Sequence, residues 1–285
     1  SMKQKERTLI LTEASLKGFL SHLQQEEKSQ GTIQMYRCAL GALLTYLSGQ
    51  PMSKNLLIQW KQDLASRYAA ASVNAKLAAV NGFLDFRGWG DLRVKPLKVQ
   101  RCLFCSSDKE MTRKEYLRLV QAAKARGNDR LSLVLQTICA TGIRVSELEF
   151  ITLEAVRNGH TQVNCKGKIR TVFLPGKLRK PLLEYAKKQN RYAGPVFLTR
   201  NGKPLNRSNI WRDMKALCES ADVDPGKVFP HNLRHLFARI YYSVEKDLAR
   251  LADLLGHASI ETTRIYIMES GLEHGRKVEQ LGLLL

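Results

Sequence analysis

The chain has 285 residues, with 46 Lys and Arg against 26 Asp and Glu, a formal net charge of +20 and a 44% hydrophobic content. That length accommodates one large or two ordinary domains with a buried core, and the charge favours a polyanionic partner. No run of about 18 apolar residues is present to span a bilayer, and "SMKQKERTLIL" lacks the apolar core and cleavage site of a signal peptide, so a cytoplasmic protein with no membrane partner is expected.

Ser1 ahead of Met2 reads as a tag-cleavage remnant with no part in the fold. "TEASLKGFLSHLQQEE" carries a Thr12 cap and an apolar stripe of Leu16, Phe19, Leu20 and Leu23. "TIQMYRCALGALLTYLSG" carries a Thr32 cap, then Tyr36, Leu40, Leu43, Leu44 and Leu47, with Gly49 to end it. These spacings are those of helices with one buried face. "SKNLLIQWKQDLASR" and "AASVNAKLAAVNGFLDFRG" continue the pattern, so a small helical bundle is expected. Basic residues recur towards its end: Arg67, Lys76, Arg87, Lys95, Lys98 and Arg101. They are either an ordinary solvated face or phosphate contacts, and the net charge favours the second.

Residues 88–110 lose helical periodicity and gather Gly, Pro and Ser. This places a helical domain at 1–99, a linker at 100–110 and a second domain at 111–285. Cys102 and Cys105 form a lone C-x-x-C without the second pair that a zinc site needs, so they read as free thiols, and no metal is expected. Thr112 and Glu115 then open a helix with a capping box. "DRLSLVLQTICATG" is apolar enough to be buried and stops at Gly142. "TQVNCKGKIRTVFLP" alternates on either side of Lys166-Gly167-Lys168, a hairpin with a basic tip. "GPVFLTRNGKPL" reads as a short extra strand and turn. From Ser208 the pattern is helical again. The fold class is therefore mainly α, with one small β-hairpin or sheet in the second domain.

No carboxylate cluster, Walker-type loop or G-x-S-x-G elbow is present. Cationic and imidazole groups sit instead at structural breaks. Arg144 follows Gly142, either paired on the surface with Glu147 three residues on or pointing into a cleft. His231 and Arg234 project from nearly the same face at the start of a helix. They read as a cap and a surface cation, or as a proton acceptor and a planar fork for phosphate oxygens. Lys166 is a solvated hairpin lysine or a mobile proton donor. His257 follows Gly256 at another break. Tyr266 lies nine residues beyond, in a stripe with Ile260 and Ile267 that fits a core residue equally well. Around an anion, two arginines would stabilise the charge of a five-coordinate phosphorus, and a tyrosine would attack it. A phenol has an ordinary pKa of about 10, so ionising one at pH 7 costs about 4 kcal/mol, which neighbouring cations offset. A departing sugar alkoxide needs a general acid, for which Lys166 is placed.

In "ATGIRVSEL", "CKGKIRTVFLP", "HNLRHLFA" and "LLGHASIETTRIY" the chain resembles the tyrosine recombinases, or phage-type integrases, and among them the Xer-like and conjugative-transposon integrases. The resemblance extends over nearly the whole chain. It implies that Arg144 and Arg234 clamp a phosphate, that Lys166 is the acid for the 5′-oxygen with Lys168 the alternative, and that His231 accepts a proton. It further implies that His257 bonds the phosphate, that Glu147 braces the site and that Tyr266 is the nucleophile of a 3′-phosphotyrosyl intermediate. It implies a two-domain, C-shaped DNA clamp, no cofactor, and a homotetramer on two double-stranded recombination sites. The free protein would be a monomer or weak oligomer, with an accessory directionality factor as a further partner. Many phage integrases carry an arm-site-binding domain ahead of the core-binding-type domain; in this sequence none is expected, unless the chain is truncated before it. The tail "LGLLL" resembles a segment that docks on a neighbouring protomer, with packing in cis the alternative. The expected biological role is integration or excision of a mobile element. Xer-type chromosome-dimer resolution, DNA inversion, supercoil relaxation and a non-catalytic DNA-binding regulator are the competing readings.

Overall fold

The computed structural model describes residues 9–99, 109–268 and 280–281, divided into two units, Ser1–Arg101 and Cys102–Leu285. Arg101, Cys102, Cys105 and most of the tail "LGLLL" lie outside the described residues.

The first unit consists of α1 (Glu13–Gln25), α2 (Gln30–Leu47), α3 (Lys54–Arg67) and α4 (Ala70–Phe86). Thr12 caps α1 through a capping box with Ser15. The expected Thr32 cap of α2 is displaced. Ser29 accepts the Thr32 amide from one turn earlier, so the helix starts at Gln30. Its end is set by Ser48 in the left-handed region, followed by Gly49 at φ +79. The apolar stripes meet in a core that includes Phe19, Leu40, Leu43, Trp60, Leu77 and Phe83. Burying each such side chain contributes about 1.5–3 kcal/mol.

Two asparagines on one face of α4 tie down the chain that leaves it. Asn81 bonds both the carbonyl and the amide of Val94, at 2.9 and 3.0 Å. Asn74 does the same for Leu97, at 3.0 and 2.7 Å. Each amide side chain thereby replaces a strand partner for an extended segment that has none among the described residues.

In the second unit α5 (Arg113–Ala125) opens on the Thr112–Glu115 capping box. It packs on α6 (Asp129–Thr141), the central helix, which also meets α8, α9 and α11. Thr137 and Thr141 are buried in α6, and each hydroxyl bonds the carbonyl four residues back, which satisfies it without a partner elsewhere. A 3-10 helix (Val145–Phe150) and α7 (Leu153–Asn158) lead to the hairpin of β1 (His160–Cys165) and β2 (Lys168–Phe173). Its turn is only Lys166-Gly167, both at positive φ, as a tight hairpin requires. Lys168 therefore belongs to the strand and pairs with Cys165. α8 (Gly176–Lys188), α9 (Arg207–Ala216), α10 (Cys218–Ala221), α11 (Pro230–Glu245), α12 (Leu248–Leu255) and α13 (Ile260–Tyr266) complete the unit.

The mainly helical class with one hairpin holds. The extra strand does not form. "GPVFLTRNGKPL" makes single bridges at Thr152–Pro195 and Leu198–Pro204, because each proline lacks the amide that would extend the ladder.

Gly142 ends α6 at φ +71, and a Cβ there would lie 2.4 Å from Cδ1 of Phe237. Gly142→Ala should combine left-handed strain with overpacking and destabilise this unit by about 2–4 kcal/mol. A calorimetric scan should show its transition lowered by about 2–4 °C per kcal/mol lost. An unchanged transition would mean that neither the turn nor the Phe237 contact constrains this position.

Candidate active site

The reversal at Gly142 buries Ile143 and delivers Arg144 to the start of the 3-10 helix. There the Glu147 carboxylate accepts the Arg144 amide at 2.7 Å. Glu147 is 1% exposed, and its two oxygens also accept the fork of Arg170 from β2. The Arg144 guanidinium lies 3.8 Å from the same carboxylate and keeps 28% of its surface open. Burial works against the Glu147 charge, but the hydrogen bonds from Arg170 and the Arg144 amide outweigh it, holding the carboxyl below the usual range. Arg170 also donates to the Leu254 carbonyl at 3.0 Å, so one side chain joins the hairpin, the 3-10 helix and α12.

Arg234, in the first turns of α11, is completely buried. It donates to the carbonyls of Gly142 and Leu255, at the C-terminal ends of α6 and α12. Both ends present unsatisfied carbonyls and the negative pole of a helix, which a guanidinium complements. The Arg234 nitrogen that donates to Leu255 also lies 3.4 Å from Nε2 of His257, whose Nδ1 is 2.8 Å from the buried Thr263 hydroxyl. The remaining donor, Nε of Arg234, is buried and without a partner among the described residues. Burial, and then the Arg144 charge, pull the Arg234 pKa down to about 10, which leaves it a cation at neutral pH.

Tyr266 at the end of α13 reaches His231 at the start of α11, with Oη and Nε2 2.6 Å apart. Its ring packs against the small cluster of Ala238, Leu251 and Leu255, so the core reading of this tyrosine describes its ring and not its hydroxyl. Three imidazoles surround it, with ring centroids at 5.1 Å for His231, 4.3 Å for His235 and 4.4 Å for His257. Burial first, then the charges of Arg234, Arg144 and Arg207, lower the pKa of His231. Burial and the neighbouring charges lower His257 to about 4 and His235 to about 3. All three are therefore neutral at pH 7.

A cleft of about 480 Å³ opens beside these groups, lined in part by Arg144, Ser146, Asn206, Arg207, His231 and Arg234. The structure thus gathers Arg144, Glu147, His231, Arg234, His257 and Tyr266. Lys166, in the hairpin turn, and Lys168, the first residue of β2, are both exposed. In the first unit, the Lys76 ammonium lies over the ring of Tyr68 and the Arg87 guanidinium over that of Trp89. Lys95 and Lys98 are exposed on the segment held by the asparagines.

The sequence patterns did not single out Arg170, Arg207, His235 or Thr263. Arg170 had a signal: it falls in phase with Val172 and opposite Val163, on the inward face of the hairpin. His235 had one too, four residues after His231 on the same helical face.

Residues 109–271 match the family model described as the phage integrase family, and residues 16–89 match the phage integrase N-terminal SAM-like domain. The chain is 28% identical to tyrosine recombinase XerA of Pyrococcus furiosus, over 98% of this chain and 97% of the relative. It is 30% identical to tyrosine recombinase XerC of Roseiflexus castenholzii, over 88% and 87%. Among solved structures, a XerA recombinase is similar at 25% identity with a TM-score of 0.52, covering 95% of this chain and 98% of the other. A lambda integrase tetramer bound to a Holliday junction shares the fold at 18% identity with a TM-score of 0.73, covering 93% and 79%. A tyrosine brought onto a neutral imidazole beside two arginines thus stands in a chain that belongs to the phage integrase family, the tyrosine recombinases, which cleave and rejoin DNA in site-specific recombination.

Proposed function

We propose that Tyr266 is the nucleophile of this recombinase and that its hydrogen bond to His231 starts the reaction. The observation that carries this is the 2.6 Å contact between a phenol and a neutral imidazole 35 residues apart in sequence. On strand cleavage the Tyr266 oxygen forms a bond to phosphorus and its proton passes to Nε2 of His231. The bond from phosphorus to the 5′-oxygen breaks, and the Lys166 ammonium gives that oxygen a proton. Arg144 has guanidinium surface left open for the non-bridging oxygens, and the buried Nε of Arg234 is a donor that a phosphate oxygen would satisfy. His257, held by Thr263, adds a further hydrogen bond. Glu147 and Arg170 act as positioning residues, since both are committed to each other and to backbone. The link replaces one phosphodiester by another, so a partner strand's 5′-hydroxyl reverses it without external energy.

The DNA partner is duplex, with Lys76, Arg87, Lys95, Lys98 and Arg101 of the first unit on its phosphates. Lambda integrase, similar in fold, is a tetramer on a Holliday junction. Four protomers on two sites are the corresponding assembly here, formed from a monomer or weak oligomer in the cytoplasm, with a directionality factor as accessory. The biological role is integration or excision of a mobile element. Similarity to XerA and XerC along most of the chain favours Xer-type dimer resolution as a second reading. Sequencing the DNA joined to Tyr266 in cells separates them: element ends mark the first and a single chromosomal site the second.

Incubated with a nicked suicide duplex bearing its site, the protein should accumulate a covalent 3′-phosphate adduct, also in excess EDTA, because arginines supply the positive charge. Tyr266→Phe should abolish the adduct, and an adduct surviving that change refutes the assignment. Lys166→Ala should slow cleavage about 10²–10⁴-fold. A 5′-bridging phosphorothiolate duplex, whose leaving group needs no acid, should restore the rate. If Lys168→Ala shows that rescue instead, the acid is Lys168. His231 accepts a proton only when neutral, and its pKa is lowered from the ordinary 6.5. Single-turnover cleavage should therefore decline on acidification with a midpoint below pH 6.5. A decline centred above pH 6.5 would exclude this histidine as the acceptor.

A further inference from the structure

The cleft holds more positive charge than one phosphodiester requires. Arg144, Arg207 and Arg234 all line it, and the lining carries no carboxylate among the described residues. Glu147, the nearest acid on the adjoining turn, is taken up by Arg170 at full bidentate contact. The histidines beside the cleft are neutral at pH 7. A phosphodiester carries one negative charge, rising towards two in the five-coordinate transition state, which Arg144 and Arg234 together match when they clamp the scissile group.

Arg207 is the cation left over. It is the first residue of α9, directly after Asn206, whose side chain caps the helix by accepting the Asn209 amide at 2.8 Å. It is exposed and makes no ion pair among the described residues. Its charge is close enough to contribute to lowering the pKa of His231. The other arginines of the site are each engaged internally. Arg170 joins three elements, Arg234 clips two helix ends, and Arg144 stands by Glu147. Four-residue steps from Arg207 along α9 place Trp211 and Lys215 on the same face. The Lys215 ammonium lies over the Trp211 ring, which is 48% exposed. The helix therefore continues the basic surface outward from the cleft.

We propose that Arg207 binds a phosphate adjacent to the scissile one and so sets the register of the strand in the cleft. A guanidinium held at a helix start offers a planar pair of donors to phosphate oxygens, and the aligned amides there favour the same anion. The proposal rests on the cleft being the phosphate site.

The test uses full-length Tyr266→Phe protein, so that binding is read without cleavage. The probe is a duplex selected from a random-sequence pool by retention on that protein. Arg207→Ala and Arg207→Gln should each weaken binding about 5- to 10-fold at moderate salt and reduce the slope of log K against log salt by about one. Arg207→Lys should retain the slope. Binding is then repeated on duplexes carrying one neutral methylphosphonate at each successive position. The Arg207 penalty should vanish at one phosphate, and the Arg144→Ala penalty at its immediate neighbour. If both vanish at the same phosphate, Arg207 belongs to the scissile group and the proposal fails. It also fails if the Arg207 penalty persists on every duplex, or if the salt slope is unchanged. An Arg144 penalty that vanishes nowhere refutes the clamp itself, and leaves the position marked by Arg207 readable.

Discussion

The buried guanidinium of Arg234 is the interaction on which the second unit turns. It sits where α6 and α12 end, and it donates to one terminal carbonyl of each. Two helix C-termini cannot converge in a protein interior without a cation or donors between them, because their carbonyls and dipoles repel. With Arg234 in place they do converge, and the residues just beyond each end arrive together: Arg144 after Gly142, and His257 after Gly256. The same guanidinium lies 5.6 Å from the centre of the Tyr266 ring. Before it meets any phosphate, this side chain is the clip that gives the site its shape.

A second clip works in the same way. Arg170 holds Glu147 on one side and the α12 carbonyl of Leu254 on the other. Glu147 in turn fixes the turn that carries Arg144. A buried carboxylate between arginines contributes little net stability, because desolvation cancels most of the attraction. Its contribution is to the direction of Arg144, whose backbone is pinned while its guanidinium keeps open surface. Catalytic geometry of this kind depends on such supporting bonds as much as on the groups that touch substrate. Burial first, and then the neighbouring arginine charges, keep His231 neutral, which is the form in which it can accept a proton from a phenol.

The helices were legible in the sequence because their cues are local. Apolar residues at one-face spacing, capping hydroxyls and glycines after the last turn carry the information within a few residues of where it acts. Where the structure departs from those cues, a neighbour won a local competition: Ser29 captured the Thr32 amide, and prolines stopped a strand at single bridges. The candidate site was legible in part, as polar groups each set beside a break, and the ordered motif in which they fall carried the resemblance to tyrosine recombinases. Arg170, Arg207, His235 and Thr263 did not stand out, although Arg170 and His235 lie in phase with residues of known orientation. Asn74 and Asn81, which fasten residues 94 and 97, were not legible at all, since nothing local distinguishes them from surface asparagines.

By itself, the sequence determined the helical segments, the hairpin, the basic charge and the set of reactive side chains. It left Tyr266 divided between a core residue and a nucleophile, because helical spacing describes a ring and its hydroxyl equally. Only the tertiary structure decided that the ring packs near Leu251 and Leu255 while the hydroxyl meets His231. That contact joins residues 35 apart. It exists because α11, α12 and α13 fold back on the carbonyl ends that Arg234 binds, and no pattern along the chain encodes the meeting of two helix ends.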